Sequence, residues 1–540
     1  MPSPVHTQET TPARTRRAII VLAMLFVVLW IVYGVPLQNL NYDPSFYYAH
    51  IRSPVIDGDL YFANEGLPAF LSELRTPTGL VPSIWSAGPA LAWAPFFLLA
   101  HILTRGANMF GVALAPDGYT PLYLTLCALG SALWGWLGVV GCYQLGRTAA
   151  NSRVALLAAI TVWLASPLFF FMYRIPLYAH APTVALISLT LSTWLWLQQH
   201  TEDQWGWLLS GLLIGLATLM RWQNGLFVAL LPFALQFNPL RAQLSSWWGA
   251  VRQWMLTGLG ILIGFSPQMI VWWHLYAQIL SVPQGAGFLN WLRPRLISVL
   301  LSSNRGLLIW QPVTLIGLIG LLIYARKRLK LVMGLALVAA LQTYLNSIVL
   351  DWWGGGGYGP RRFDWLLPIV ALGTAVLLDR LWSSTLGRVI SLVMCSWLIV
   401  YQLALAQAFY YRMLPEQVPF PLEQYDNGLP LPLSFFGVVA LTPLRHPAFL
   451  VEVYPSAWSA ATPTWVTALS TARGASPDTQ AMAYAAALLI ALCLMLVSIR
   501  WLPRLMTAAH RISSSAKILI WASLAWVFAA DLMFLLVRTR

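Results

Sequence analysis

Charge is what this chain has least of. Only 9% of its 540 residues are charged, 18 are acidic, and lysine occurs three times, at Lys327, Lys330 and Lys517. With 59% hydrophobic residues and a mean hydropathy of +0.68, such a chain cannot clothe a globular surface in water, which excludes a soluble domain. Cysteine is nearly as scarce. Cys127, Cys142, Cys395 and Cys493 all fall inside apolar runs, which excludes a zinc spacing and a disulfide framework. A cationic stripe is missing too: the net charge of +14 is scattered over short loops, so nucleic acid is not an expected partner.

What the chain does have is apolar runs along its whole length. About 13 of them approach the ~20-residue length of a membrane-spanning helix, some short or broken by proline. They lie near 18–36, 119–144, 154–173, 180–197, 205–220, 224–237, 253–273, 307–325, 331–349, 364–381, 389–409, 481–499 and 518–536. The expected fold is therefore an all-α polytopic membrane protein. Arg14-Thr15-Arg16-Arg17 precedes the first run and no small-residue cleavage site follows, so that run reads as a retained signal anchor with residues 1–17 cytoplasmic. The inner loops then carry Arg147 and Arg153, Arg241 and Arg252, Arg326 to Lys330, Arg380 and Arg388, and Arg500 to Lys517. That distribution obeys the positive-inside bias of a multi-pass plasma-membrane (inner-membrane) protein. Ile84 to Leu103 is long enough to cross but holds Pro89 and Pro95, and a crossing there would put Arg326 to Lys330 outside. It reads as a half-inserted helix on the outer surface.

This topology separates one module, 18–410, including an outer loop 37–118 with interfacial helices, from an outer segment 411–480 and C-terminal spanning helices in 481–540. A further outer loop covers about 274–306. All three lysines fall inside, whereas the outer cations are arginines. Arginine's planar fork binds phosphate in a bidentate manner and keeps its charge near a low-dielectric interface; codon bias is the alternative origin of the asymmetry.

The candidate chemistry gathers on the outer side, facing periplasm or cell exterior. Asp43 follows the first run by about one turn, in Asn41-Tyr42-Asp43-Pro44. An Asp-Pro step is a helix start with Asp as N-cap, and a carboxylate so placed is also a candidate general base. Asp57, Asp59 and Glu65 lie within nine residues of one another. They suit sugar hydroxyls, a divalent cation (Mg or Mn) or a plain acidic turn. Asp351-Trp352-Trp353 leads into five glycines between 354 and 359, then Pro360-Arg361-Arg362. Glycine allows close backbone approach and free N–H groups at a helix start attract anions, so the turn reads as a phosphate cradle or as interfacial anchors. Arg221, in Arg221-Trp222-Gln223-Asn224-Gly225, interrupts an apolar stretch, where charges mark polar cavities. Arg174 and His180 sit on another outer turn; an interfacial histidine satisfied by its neighbours is the plainer reading of His180.

Taken in order, these segments resemble the GT-C superfamily of integral membrane glycosyltransferases, in its bacterial branch related to protein O-mannosyltransferases and the lipid A aminoarabinose transferase. The resemblance runs to about residue 410. It rests on Asp43 after the first span, the Arg221 to Gly225 turn, Ser302-Ser303-Asn304-Arg305-Gly306 with Trp310-Gln311-Pro312, and the glycine-rich Pro-Arg-Arg turn. It implies transfer of a sugar from a polyprenyl-phosphate donor to a glycan, lipid or protein hydroxyl. Asp43 would be the base, and Arg174, Arg221, Arg305, Arg361 and Arg362 would bind donor phosphate. Many relatives carry two adjacent acids where Pro44 follows Asp43 here, and several carry an Asp where this chain has Tyr178 to His180. A transporter or flippase of an anionic lipid-linked substrate, or a non-catalytic lipid-binding relative, is the competing class; the chain lacks the paired repeats common in transporters.

The topology makes a direct prediction. Cysteines introduced at Asp59 and Gly356 are expected to react with an impermeant thiol reagent added to intact cells, and one at Lys327 is not. Labelling of Lys327→Cys from outside would overturn the assignment of sides.

Overall fold

A computed structural model describes residues 12–34, 40, 42–67, 73–234, 244–302, 304–410, 477–507 and 512–537. The outer segment expected at 411–480 lies outside the described residues up to 476. Within them the chain is helical, with an isolated β-bridge between Leu289 and Val349. The main helices are α1 (Pro12–Tyr33), α2 (Asp43–Arg52), α3 (Gly88–Met109), α4 (Pro121–Arg147), α5 (Ser152–Leu164), α6 (Leu168–Tyr173) and α7 (His180–Leu197). They continue with α8 (Gln204–Met220), α9 (Leu244–Tyr276), α10 (Val313–Ile348), α11 (Leu367–Leu381), α12 (Thr385–Tyr410), α13 (Pro477–Thr507) and α14 (Ile512–Leu535). Among the described residues seven helices are long and apolar enough to cross a membrane, in α1, α3, α4, α9, α10, α12 and α14; shorter apolar helices accompany them. Helix is what such sequences must form where water is scarce, because it satisfies every backbone polar group within one segment.

Polar residues punctuate the apolar runs. Asn151 caps α5 by accepting from the Arg153 and Val154 amides, and Asp203 caps α8 in the same way through Trp205 and Gly206. One expectation changes in detail. The run at 224–237 is not an α-helix at its start: Trp222–Leu230 is a 3-10 helix, followed by the short helix Leu231–Ala234. A 3-10 helix rises about 2 Å per residue against 1.5 Å for an α-helix, so few residues cover much depth. The runs at 307–325 and 331–349 correspond to the two helical halves of α10, which meet at a kink at Arg328, the residue with non-helical backbone. Gly317, near its start, packs on Val370, and Asn346, near its end, bonds to Arg362. Both ends of α10 thus reach the same end of the bundle, and the chain reverses at Arg328.

Glycine stripes set the closest crossings. Gly135, Gly138 and Gly141 of α4 lie in turn against Ala181, Val184 and Ser188 of α7, so these helices run parallel. Gly211 and Gly215 of α8 meet Thr257 and Ile261 of α9, while Gly260 and Gly264 return the contact onto Leu208 and Leu212. Small residues four apart on both partners let backbones touch, the usual packing device between helices in lipid. Gly317 and Gly320 of α10 cross Val370 and Gly373 of α11 more tightly still; a Cβ at Gly320 would stand 1.8 Å from the Gly373 carbonyl oxygen.

The segment between α1 and α4 is fastened over one end of this bundle. Ser86 Oγ donates to the Met220 carbonyl at the end of α8, the Ala87 amide donates to Gln268 of α9, and Tyr276 Oη donates to the Ser83 carbonyl. From that level α3 runs back beside α2, where Trp93 meets Tyr47 and Phe97 meets Tyr48, and beside the first half of α4. Trp134 bonds to the Ala92 carbonyl, Gly130 abuts Phe96, and Tyr123 meets His101. Despite a length and composition that would allow crossing, α3 therefore packs on the part of α4 that extends beyond α7.

The crossing of α10 and α11 yields a stability prediction. Gly320→Ala is expected to cost about 1–3 kcal/mol through overpacking against backbone, read as a lowered midpoint of thermal unfolding in detergent. Gly258→Ala, where a Cβ meets nothing within 4 Å, is the matched control and leaves the midpoint unchanged.

Candidate functional site

The site begins at the start of α2. Tyr42 has a positive φ of 55°, rare for a residue with a Cβ and a conformation seen where surrounding structure imposes it. The turn is closed by Ser45, whose amide and hydroxyl both reach the Tyr42 carbonyl. Asp43 is therefore not the N-cap: Tyr42 holds that position, and no side chain caps the helix. The Asp43 carboxylate instead turns away from its own helix and accepts from Arg361 Nη1 at 2.5 Å, with the two side chains 17% and 12% exposed.

The glycine-rich turn serves Arg361 before it serves any ligand. A Cβ at Gly357 would stand 2.7 Å from Arg361 Cδ and Nε, and one at Gly354 would stand 3.0 Å from Nε. The loop is stripped of side chains so that the arginine can lie along it. Gly354, Gly355 and Gly359 also take positive φ values, which glycine alone adopts without strain. Arg361–Leu366 then forms a 3-10 turn leading into α11. The Arg361 guanidinium lies over the Tyr178 ring. Burial, the largest single influence, lowers its pKa, but the Asp43 carboxylate together with the Tyr178 and Tyr47 phenols leaves it raised. Arg362 donates to Asp351 at 2.5 Å; burial lowers its pKa, Asp351 opposes the fall, and Arg361 and Arg221 add to it.

The Arg221 turn docks onto the Arg361 turn through the backbone. Arg221 breaks α8 with an extended conformation (φ −150°), and Asn224 closes the break by donating to the Ala217 carbonyl. Arg221 Nη1 donates to the Arg361 carbonyl at 2.7 Å and to Asp364 at 3.0 Å. Gln223, Asn346 and Trp365 converge on the Arg362 carbonyl at 2.9, 3.1 and 2.9 Å. With both carbonyls held, both arginine side chains are oriented. His180 Nδ1 is hydrogen-bonded to the same Asp364 oxygen. With Asp364 as acceptor, Nδ1 carries the proton, and a neutral ring keeps its lone pair on Nε2.

These groups line one cavity of about 590 Å³, within the range of small-molecule sites. Its polar wall holds Asp43, His180, Arg221, Asp351, Arg361 and Arg362, and its other walls carry Trp85, Trp222, Phe265, Trp272 and Phe288. Tyr47 also lines it; burial first, then the charge of Asp43, raises its pKa and keeps the phenol a hydrogen-bond donor. Each arginine facing the cavity has its own carboxylate: Arg361 has Asp43, Arg362 has Asp351 and Arg221 has Asp364.

Asp43, Arg221, Arg361, Arg362 and His180 thus come together as the sequence suggested. Arg305 and Arg174 do not line the cavity. Arg305, also at positive φ (65°), braces the glycine loop by donating from Nε to the Gly357 carbonyl at 2.5 Å, and Arg174 lies over the Tyr33 ring. Asp57, Asp59 and Glu65 are likewise elsewhere. Arg52 donates to Asp57 at 2.5 Å and to Glu65 at 2.7 Å, Tyr119 donates to Glu65 at 2.7 Å, and Ser53 donates to Asp59 at 2.8 Å. Burial raises the Glu65 pKa, with Arg52 opposing. The acids knit the segment between α1 and α4 together, and among the described residues no three His, Cys, Asp or Glu gather as a metal-ligand set. Two partners escaped the sequence reading: Asp364, inside an apolar run, and Asp351, read only as the edge of the glycine turn.

Residues 124–273 match the family model of dolichyl-phosphate-mannose-protein mannosyltransferases, the family kin suggested by the sequence motifs, over just over a quarter of the chain. No curated protein matches significantly in sequence. Among solved structures, ArnT from Cupriavidus metallidurans, bound to undecaprenyl phosphate, is 15% identical with a TM-score of 0.46, covering 91% of this chain and 77% of its own. The archaeal oligosaccharyltransferase AglB from Archaeoglobus fulgidus, in complex with an inhibitory peptide and a dolichol-phosphate, is 13% identical with a TM-score of 0.40, covering 86% of this chain and 58% of its own.

The docking of the two turns is testable through Asp364, which is 5% exposed. Asp364→Ala leaves the partly buried Arg221 guanidinium, 17% exposed, without its carboxylate; breaking a fully buried pair typically costs about 3–5 kcal/mol, which is the upper end here. A lower thermal midpoint in detergent is expected, with a smaller drop for Asp364→Asn; unchanged midpoints for both would remove the pair from the structural framework.

Proposed function

We propose that the protein is a membrane glycosyltransferase that moves a sugar from a polyprenyl-phosphate carrier to a hydroxyl acceptor at the outer face of the plasma membrane. The observation that carries this reading is two carboxylates, Asp43 and Asp351, and three arginines on the wall of a single cavity in a bundle of membrane-length helices. The family match over 124–273 supports the same reaction class. A flippase needs arginines for an anionic head group but has no use for a carboxylate among them.

The chemistry is a single displacement. The bond between the sugar's anomeric carbon and the donor phosphate oxygen breaks as the bond to the acceptor oxygen forms, which inverts the anomeric centre. The phosphate leaves with its own electron pair, so no general acid is required if the developing charge is met by fixed cations. Arg221, Arg361 and Arg362 supply them. Asp43 takes the acceptor's proton as general base. Tyr47 and the His180 ring offer hydrogen bonds to sugar hydroxyls, and Trp85, Trp222 and Trp272 offer flat apolar surface. The prenyl tail stays in lipid. No step is routed through a metal ion. The acceptor is a glycan, lipid or protein hydroxyl.

The test is incubation of purified protein with radiolabelled polyprenyl-phosphate sugars, scoring transfer or release, for wild type and Asp43→Asn. The amide keeps the size and a hydrogen-bonding oxygen but cannot take the proton. Transfer is expected to fall by about 10²–10⁴-fold, the usual range for loss of a general base. A folded Asp43→Asn protein transferring at the wild-type rate would move the base elsewhere, with His180 the next group on the cavity wall.

A further inference from the structure

We propose that Arg361 exchanges partners when the donor binds: it holds Asp43 in the empty cavity and an anionic phosphate in the loaded one, so the base is released only once the donor is in place. This rests on the glycosyltransferase reading and adds to it an order of binding.

Three observations carry it. First, the three guanidiniums of the polar wall are charge-balanced, by Asp43 and Asp351 on the wall and by Asp364, which does not line the cavity but pairs with Arg221. A phosphate bearing one or two negative charges is attracted to a cluster with an excess of positive charge, and one arginine can provide it by letting go of its acid. Second, the pairs are not equally fixed. Asp364 is held by both Arg221 and His180, and Arg221 is anchored again by the Arg361 carbonyl. Asp43 has the single side-chain partner Arg361, and the cap role that would have fixed its carboxylate is unused.

Third, the Arg361 fork is half idle. Its Nε is buried with no acceptor, turned into the loop beside Gly354 and Gly357. The Nη1 donor is the one engaged by Asp43. An anion arriving through the cavity competes with Asp43 for that donor. In return, an arm withdrawn from the glycine channel presents Nε and Nη together to phosphate, the bidentate arrangement in which arginine binds most strongly. The exchange forms one ion pair and breaks another, with no proton transferred, and leaves Asp43 as a free carboxylate beside the bound donor. It also keeps the base neutralised whenever the acceptor or water enters an empty site.

The experiment measures binding of tritiated undecaprenyl phosphate to the full chain in detergent, for wild type, Asp43→Asn, Arg361→Ala and the double variant. Asp43→Ser replaces Asp43→Asn if the latter does not fold. Removing the competitor is expected to tighten binding about tenfold in the wild-type background, equivalent to about 1.4 kcal/mol, and by less than about twofold when Arg361 is absent, since the coupling belongs to the pair. No tightening in Asp43→Asn, or equal tightening in both backgrounds, overturns the exchange; the second result would mean simple repulsion through space. Either leaves the glycosyltransferase reading standing. A folded wild-type protein that binds no undecaprenyl phosphate removes both.

Discussion

The contact on which the site depends is the grip of Arg221 on the Arg361 carbonyl and on Asp364. Two turns far apart in sequence, each interrupting an apolar run, are joined there through backbone oxygen and a buried carboxylate. A guanidinium suits the task because its donors form a rigid planar fork that can hold two acceptors at once. Lysine in the same place would present three rotatable donors on one nitrogen, without the fixed planar geometry. Every other element of the polar wall is referred to this junction: Gln223 repeats the grip one residue along, on Arg362, and His180 shares the Asp364 oxygen.

Glycine does two different things in this chain, and only position tells them apart. Within α4, α8, α9, α10 and α11 it removes side chains between helices whose backbones cross in contact, as expected where lipid provides no hydrophobic force to bring helices together. In the loop at 354–359 it removes side chains from the path of one arginine. The rigid crossings fix the ends of the helices; the permissive loop lets a charged arm lie among them. A stiff frame around one movable group is what a site that must accept an anion and then position it requires.

Much of the architecture was legible from the residues. Length and apolarity locate α1, α4, α9, α12 and α14 because the period and extent of a spanning helix leave few alternatives. The glycine-rich turn and the Arg221 turn could be recognised because charge and glycine are conspicuous against a chain with so little of the former. What could not be read was pairing. Nothing local to Asp43 shows that its partner lies 318 residues away, and the Asp-Pro step argued for a cap that the backbone at Tyr42 takes instead. Asp364 carried no signal because a single acid near a helix start looks like a terminus, not like the partner of His180. Asp57, Asp59 and Glu65 misled for the opposite reason. Their proximity in sequence suggested a shared ligand, whereas Arg52, one turn back, supplies the positive charge.

Charge balance connects these points. A carboxylate or guanidinium buried beside lipid without a partner is strongly disfavoured, so a membrane protein can keep several of them only as neutral sets. The Arg52 set is closed: Asp57 and Glu65 share one cation, and Tyr119 and Asn64 fill remaining oxygen sites. The cavity set is balanced but not closed, because Asp43 and Asp351 each rest on a single side-chain contact, and the Arg361 Nε has no acceptor. A closed set is a fastening. An open one is, on the exchange proposed above, a binding site at rest, already neutral enough to persist in a low-dielectric wall and incomplete enough to gain from an anion.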